Sequence, residues 1–443
     1  MDRPVESRQA GKHRFLWILL AILVLAPLPL GSNRPVFWFS LAVVMNLLLL
    51  VRQFRPATRT VEAAGWVPGL MALLFFLLIH LIQLLPIGWL EGGALTTDRS
   101  ATVSALLQWE TYAVFFFLLV SELRRVRSAA RVGVAIVAVA ALLAAFSLLN
   151  LVFGGVLWPF SAVSYGYSAA TGTYVNPNHF ATLLIMAGPL AIGLLIRDLG
   201  HAWGLERHIR RRSASPIRLV TRANPFLLLA AFLILAGLMA TASRGAVGAF
   251  LASGFLVALL APRLAGSRFK MLGLLALVTV AAVLVAQLLG FGGLERKLLH
   301  PGGVLVRLEL WEQSLALAKD YPLLGSGGGS YRWVFPEFKQ EALGIWIFDH
   351  AHNEYLEWLV EYGVIGILPL LLFFAVVLRR GYWLVAAPRT EGRGPGMSPF
   401  LLWAVVAALL HAVVDFGLHM PANMLVLLAI CAMIVNRSEY GRR

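Results

Sequence analysis

Charge is what this sequence has least of. Asp, Glu, Lys and Arg make up only 13% of its 443 residues, against 59% hydrophobic residues and a mean hydropathy of +0.79. A soluble domain carries roughly a quarter charged residues, so that class is excluded. Cysteine is nearly absent as well. The single Cys431 lies in the last apolar run, which rules out an intramolecular disulfide and a cysteine metal centre. No Asp-x-Asp motif of the kind that holds a metal for nucleotide-sugar chemistry occurs. What abounds instead is long apolar sequence.

A membrane helix needs roughly 20 apolar residues to cross about 30 Å of hydrocarbon. Such runs fall near 15–31, 35–51, 67–88, 107–121, 132–153, 177–196, 225–241, 246–262, 271–290, 355–378, 399–417 and 421–436. The expected fold is therefore all-α and integral to the membrane, a single polytopic unit over 1–443 with about twelve transmembrane helices. The first two runs join through a tight turn at Leu30-Gly31-Ser32-Asn33, and the run at 107–121 is short, with Trp109 and Glu110 near its start. The N-terminus has the basic-then-apolar outline of a signal sequence. A second run follows at once without a small-residue cleavage site, so it is read as an uncleaved first helix.

Charge sets the orientation. With both termini cytoplasmic, the inner segments Arg3 to Arg14, Arg52 to Arg59, Arg124 to Arg131, Arg197 to Arg222, Arg263 to Lys270, Arg379 to Arg393 and Arg437 to Arg443 hold 28 of the 37 Lys and Arg. Positive charge in short loops stays inside. The same placement disposes of nucleic acid as the reason for the formal +15: these are juxtamembrane charges, attracted to anionic lipid. The run Arg210-Arg211-Arg212 is the one basic stretch that suits a partner.

Two outer segments exceed a tight turn: 154–176, rich in Gly, Ser and Tyr, and a long periplasmic loop at about 291–354. In the latter, Val304 to Lys319 has helical spacing, with Leu308, Trp311, Leu315 and Ala318 on one side, which predicts an amphipathic helix lying on the membrane. Pro322 and the run Gly325-Ser326-Gly327-Gly328-Gly329 follow. Glycines so placed suit a lid, a close backbone approach to a ligand, or a plain linker.

Fourteen of the 22 acidic residues fall on the outer side, Asp415 among them. Glu354, Glu357 and Glu361 are spaced three and four apart and share one helix face. Carboxylates at that depth are costly and face a cavity or a cation. Structural ion pairs with Arg244 and Arg307 are the plain expectation. Arg244 lies in Thr241-Ala242-Ser243-Arg244-Gly245, a tight outer turn, where a guanidinium either reaches lipid phosphate or grips a phosphate delivered from within the membrane. Arg307 sits on the surface helix, at the depth of a lipid diphosphate. The histidines of Asp349-His350-Ala351-His352-Asn353 stand at i and i+2, an arrangement that on extended backbone suggests a metal. Because His411 and His419 belong to other elements, no metal is expected. His352, beside arginines and carboxylates, is read as a proton-transfer group.

The string His352-Asn353, nine residues, Gly363, two residues and Gly366 resembles the signature of the bacterial O-antigen ligase superfamily, which includes O-antigen polymerases and protein O-oligosaccharyltransferases. Also similar are Thr171 to His179, with Asn176 and Asn178, then Ser243-Arg244-Gly245, Arg307 four residues before Trp311, and Tyr321 to Gly325. The resemblance spans about 170–370, with a weaker echo at Asp415 to Pro421. It implies a GT-C-like, metal-independent, inverting glycosyltransferase of the inner membrane that needs no cofactor. Such an enzyme moves a glycan from an undecaprenyl diphosphate donor to a hydroxyl at the periplasmic face. His352 matches the residue that activates the acceptor, and Arg244 and Arg307 match arginines on the donor diphosphate. His350, Asn353, Glu357, Asn176, Asn178 and Asp415 are expected in support.

The acceptor separates the family's activities: lipid A core for a ligase, a second lipid-linked glycan for a polymerase, Ser or Thr for a protein transferase. The histidine signature leans towards ligase. A lipid-glycan flippase or transporter would share the span count and the charge bias. Inverted repeats and midplane charges mark transporters. The twelve runs have no such self-similarity, and their polar residues crowd one interface.

Overall fold

The computed structural model describes residues 5–54, 67–86, 95–123, 126–157, 169–209, 224–260, 302–386 and 396–436. Every regular element among the described residues is helical. In chain order these are α1 (Val5–Leu25), α2 (Pro35–Gln53), α3 (Val67–Gln83), α4 (Arg99–Glu122), α5 (Val126–Val152), α6 (Pro177–Ile209), α7 (Pro225–Ala240), α8 (Arg244–Leu260), α9 (Gly302–Asp320), α10 (Tyr331–Phe338), α11 (Glu354–Ala386), α12 (Ser398–His411) and α13 (Pro421–Val435).

Against the expected twelve crossings, five helical stretches among the described residues are long and apolar enough to span a membrane: Pro35–Gln53, Arg99–Glu122, Ala129–Val152, Pro177–Leu199 and Glu354–Ala386. Six further apolar helices are shorter, at 10–17 residues. The expected run at 271–290 lies outside the described residues, as do 158–168 of the first outer segment, 291–301 of the long loop, and Arg210-Arg211-Arg212.

Proline marks where helices start. It occupies the first helical turn of α2, α7, α12 and α13, where the N–H it lacks would have no intrahelical partner. Asp98 caps α4 by accepting from the Ala101 N–H at 2.9 Å. That cap starts α4 well before 107, so Trp109 and Glu110 sit mid-helix and not at its entrance. The first run is shorter than expected. It stops at Leu25, and the turn at Leu30–Ser32 is a single 3₁₀ turn with left-handed φ at Leu30, Gly31 and Ser32.

Helix α13 is buried all round, as an evenly apolar helix must be. It packs on α4, α6, α11 and α12, while α12 also lies on α6 and α8, and α11 on α3. By contrast, α2 presents Val36, Phe39, Val43, Leu47 and Leu50 outward, the face a lipid-bathed helix offers.

Of the stripe expected on surface helix α9, Ala318 is buried and Trp311 half-buried. Leu308 and Leu315 are exposed, and Leu310, Ser314 and Leu317 face inward instead, onto Tyr331, Phe335 and Val360. α9 is docked on α11 and α10 rather than on lipid alone, and that contact selects the face.

The glycine run is neither lid nor linker. It is a strap laid against α11: Ser326 N–H donates to Val360 O (2.9 Å) and Gly327 N–H to Glu361 O (3.0 Å), while Val364 and Ile365 N–H donate to Pro322 O and Leu323 O. α11 breaks at Gly363, whose φ of 62° opens these backbone groups to the strap. A Cβ on Gly363 would strike the Leu323 backbone, and one on Gly325 the Glu361 backbone.

Candidate active site

The start of α11 carries the acidic face. Asn353 caps it, its side chain accepting from the Leu356 N–H at 3.1 Å. The three glutamates that follow are buried, and they meet histidines and backbone amides. Glu354 accepts from Leu418 N–H (2.7 Å), Glu357 from Ala351 N–H (2.9 Å), and Glu361 from Tyr331 N–H (3.2 Å). Two of them stand in the first turn, where the helix dipole favours negative charge.

The turn between α12 and α13 brings the other half of the site. His419 stands between two carboxylates, Nε2 at 3.1 Å from Glu357 and Nδ1 at 2.7 Å from Glu354, the second contact without the alignment of a hydrogen bond. His350 Nδ1 lies 2.7 Å from the same Glu357 oxygen. Burial opposes a charge on His419, but Glu354 and Glu357 together hold its pKa well above the ordinary value, so it is an imidazolium at neutral pH. His419 does belong to another element, the turn Gly417–His419, yet it folds against His350. It is remote in sequence and adjacent in space.

Phe416 is the hub. His350 stacks on its ring at 4.2 Å, His352 meets it edge-on at 4.7 Å, and His179 packs against it at 4.5 Å. The chain holds His352 with a left-handed φ of 51°, an uncommon conformation for a non-glycine residue. Among the described residues its Nδ1 is buried without a hydrogen-bond partner. Burial first, then the Arg307 charge, hold its pKa down at about 4, so the ring is neutral at pH 7.

Asp415 precedes the hub. Arg307 of α9 lies 3.4 Å from one of its oxygens and His179 lies 3.7 Å from the other, with Asn178 hydrogen-bonding the same carboxylate. Burial outweighs these partners and lifts Asp415 to about 6. Asn176 accepts from the Asn178 N–H at 2.8 Å and so shapes the start of α6. Arg244 opens α8, and its neighbour Gly245 packs against Val414 and His411, one residue from Asp415.

The structure thus gathers His350, His352, Glu357, Asp415, Arg307 and Asn178, and places Arg244 beside Gly245, which packs on Val414 and His411. It gives Asn353 and Asn176 the work of shaping helix starts. His419, Phe416 and His179 join a site from which sequence reasoning omitted them. The signal for two of them was the string Asp415-Phe416-Gly417-Leu418-His419. His350, Glu357 and His419 offer ligand atoms within 4.8 Å of one another and are the residues that could hold a metal ion.

No curated protein matches the chain. Residues 229–373 match the family model described as O-antigen ligase, a stretch that takes in Arg244, Arg307, His350, His352, Glu357 and the Gly363 break. The match covers less than half of this membrane protein; it supports a likeness to the O-antigen ligase and polymerase superfamily and suggests a glycosyltransferase-like enzyme.

Proposed function

We propose that this protein transfers a glycan from an undecaprenyl diphosphate carrier to an acceptor hydroxyl at the periplasmic face of the inner membrane, as an O-antigen ligase acting on lipid A core. The observation that carries this reading is His352: neutral, buried and unbonded at Nδ1 among the described residues, beside an arginine already paired to a carboxylate.

The acceptor oxygen attacks the anomeric carbon, and its proton passes to His352. The new C–O bond forms as the bond to the diphosphate oxygen breaks, and the electron pair leaves with the carrier. Arg307 and Arg244 take up that charge in a site of low dielectric. A single displacement of this kind inverts the anomeric centre and uses the side chains alone. The diphosphate also strengthens the base. Arg307 disfavours an imidazolium at His352, and an anion against Arg307 cancels that effect. The periplasmic placement rests on the inner concentration of Lys and Arg.

The test is transfer by the purified protein in detergent, with a lipid-linked glycan and an acceptor and no ion gradient. His352→Ala is expected to be inactive yet folded, and wild-type activity in that variant would overturn the assignment. Surface-glycan gels separate the family's activities. Loss of attachment to lipid A core marks a ligase, whereas a ladder collapsed to one repeat marks a polymerase.

A further inference from the structure

Within the segment Thr171 to His179, Asn178 and His179 reach the Asp415 carboxylate, whereas Tyr174 points elsewhere. Tyr174 is fully buried beneath the Gly31 turn, where an added Cβ would strike its ring. Its hydroxyl donates to Oδ1 of Asn423 at 2.9 Å, the kind of partner a buried tyrosine needs. That bond fixes which way the Asn423 amide faces, since Oδ1 only accepts and Nδ2 only donates.

Asn423 stands in the first turn of α13 and is fully buried. Its amide N–H groups go to two different elements, one to His179 O of α6 (2.9 Å) and one to Gly417 O of the α12–α13 turn (2.8 Å). Both polar atoms of the side chain are therefore used, the state in which a buried network rigidifies what it joins. A Cβ on Gly417 would strike Thr182, so the turn lies directly on α6. On its other side the turn is held by α11, through Leu418 N–H to Glu354 at 2.7 Å. Gly417 and Leu418, the two residues held, directly follow Asp415 and Phe416. Asp415 meets Arg307, and Phe416 meets both His179 and His352.

We propose that Asn423 is a positioning residue for transfer: its amide holds the turn carrying Asp415 and Phe416 against α6, and so sets where those side chains meet Arg307 and His352. The inference rests on the transferase reading for the reaction affected, but hydrogen exchange tests the anchoring without turnover. Asn423→Asp keeps the shape of the side chain and the acceptor for Tyr174, and removes both N–H groups. Tyr174→Phe removes the third bond and leaves the two that reach α6 and the turn.

In Asn423→Asp, measured in detergent, amide exchange over 412–420 should rise about tenfold, the scale for losing one hydrogen bond, while α3 and α7 exchange as in the wild type. Tyr174→Phe should leave exchange over 412–420 unchanged. Transfer by Asn423→Asp should fall about ten- to hundredfold, the scale of a misplaced group. Its acid limb should also move below the pH of about 6 at which Asp415 titrates. Asp415 faces Arg307 of α9, His179 of α6 and Glu354 of α11, but burial outweighs them, and an opened turn hydrates the carboxyl. Loss of folded protein alone would lower the rate and leave the limb in place. If Asn423→Asp does not fold, Asn423→Ala is held to the same outcomes. Unchanged exchange over 412–420, or an acid limb still near 6, would overturn the proposal. A wild-type protein without transfer would instead overturn the transferase reading, and exchange alone would then decide the anchoring.

Discussion

The Arg307 guanidinium lies 3.4 Å from the Asp415 carboxylate, tying the surface helix α9 to the turn between α12 and α13 across 108 residues of sequence. Arg307 is 29% exposed and Asp415 2%, so the carboxylate anchors and the arginine reaches outward. A clamp built this way keeps donors free for an incoming diphosphate. Arg307→Ala should lower transfer by about a hundredfold, the scale for losing one transition-state donor. Arg307→Lys should recover only part, because an ammonium lacks the bidentate fork. Donor titrations of the purified variants would check this, and an unchanged donor KM in Arg307→Ala would count against the clamp.

Acid should act through Asp415 before it acts through His352. Burial raises Asp415 to about 6, so falling pH neutralises it there and releases Arg307. Burial and the Arg307 charge lower His352 to about 4, so its ring stays neutral until far more acid conditions. The pH profile of kcat/KM should therefore lose activity through about pH 6. In Asp415→Asn the rate should be lower, and the acid limb should move towards pH 4. An acid limb fixed near 6 in that variant would point to another group.

Much of this was legible beforehand, and the residues say why. Apolar runs are local, so the helices stood out, and the spacing of Glu354, Glu357 and Glu361 placed them on one face without any tertiary information. Asn353 and Asn176 also carry a local signal, that of helix capping, but their place in a family motif drew them into the site instead. His419 and Phe416 could not be placed by spacing at all. They meet His350 only because the α12–α13 turn folds back over the start of α11, a tertiary fact with no periodicity behind it. The inward face of α9 carries no local signal for the same reason, since Leu310 and Leu317 are selected by Tyr331 and Phe335.

The strap gives a test of structure rather than chemistry. Gly363→Ala and Gly325→Ala each force a side chain into the left-handed region, worth about 1–3 kcal/mol, and each adds a collision with backbone. Both should lower the thermal unfolding midpoint in detergent markedly. Gly248→Ala is the contrast, because a Cβ there meets nothing within 4 Å and the residue is helical. It should stabilise slightly, by about 0.5–1 kcal/mol. Equal melting of all three would mean that the strap does not hold α11.

Chelation decides between two readings of His350, Glu357 and His419. Nitrogen and oxygen ligands about 2.0–2.1 Å from a tetrahedral zinc stand about 3.3 Å apart. Here the Glu357 oxygen lies 2.7 Å from His350 and 3.1 Å from His419, the distances of hydrogen-bonded partners. On this geometry the cluster orients Phe416 and, through it, His352. EDTA should leave transfer unchanged, and His419→Gln should weaken it without altering metal content. Strong inhibition by the chelator, reversed by a divalent cation, would instead make these three residues ligands and His352 a base beside a metal centre.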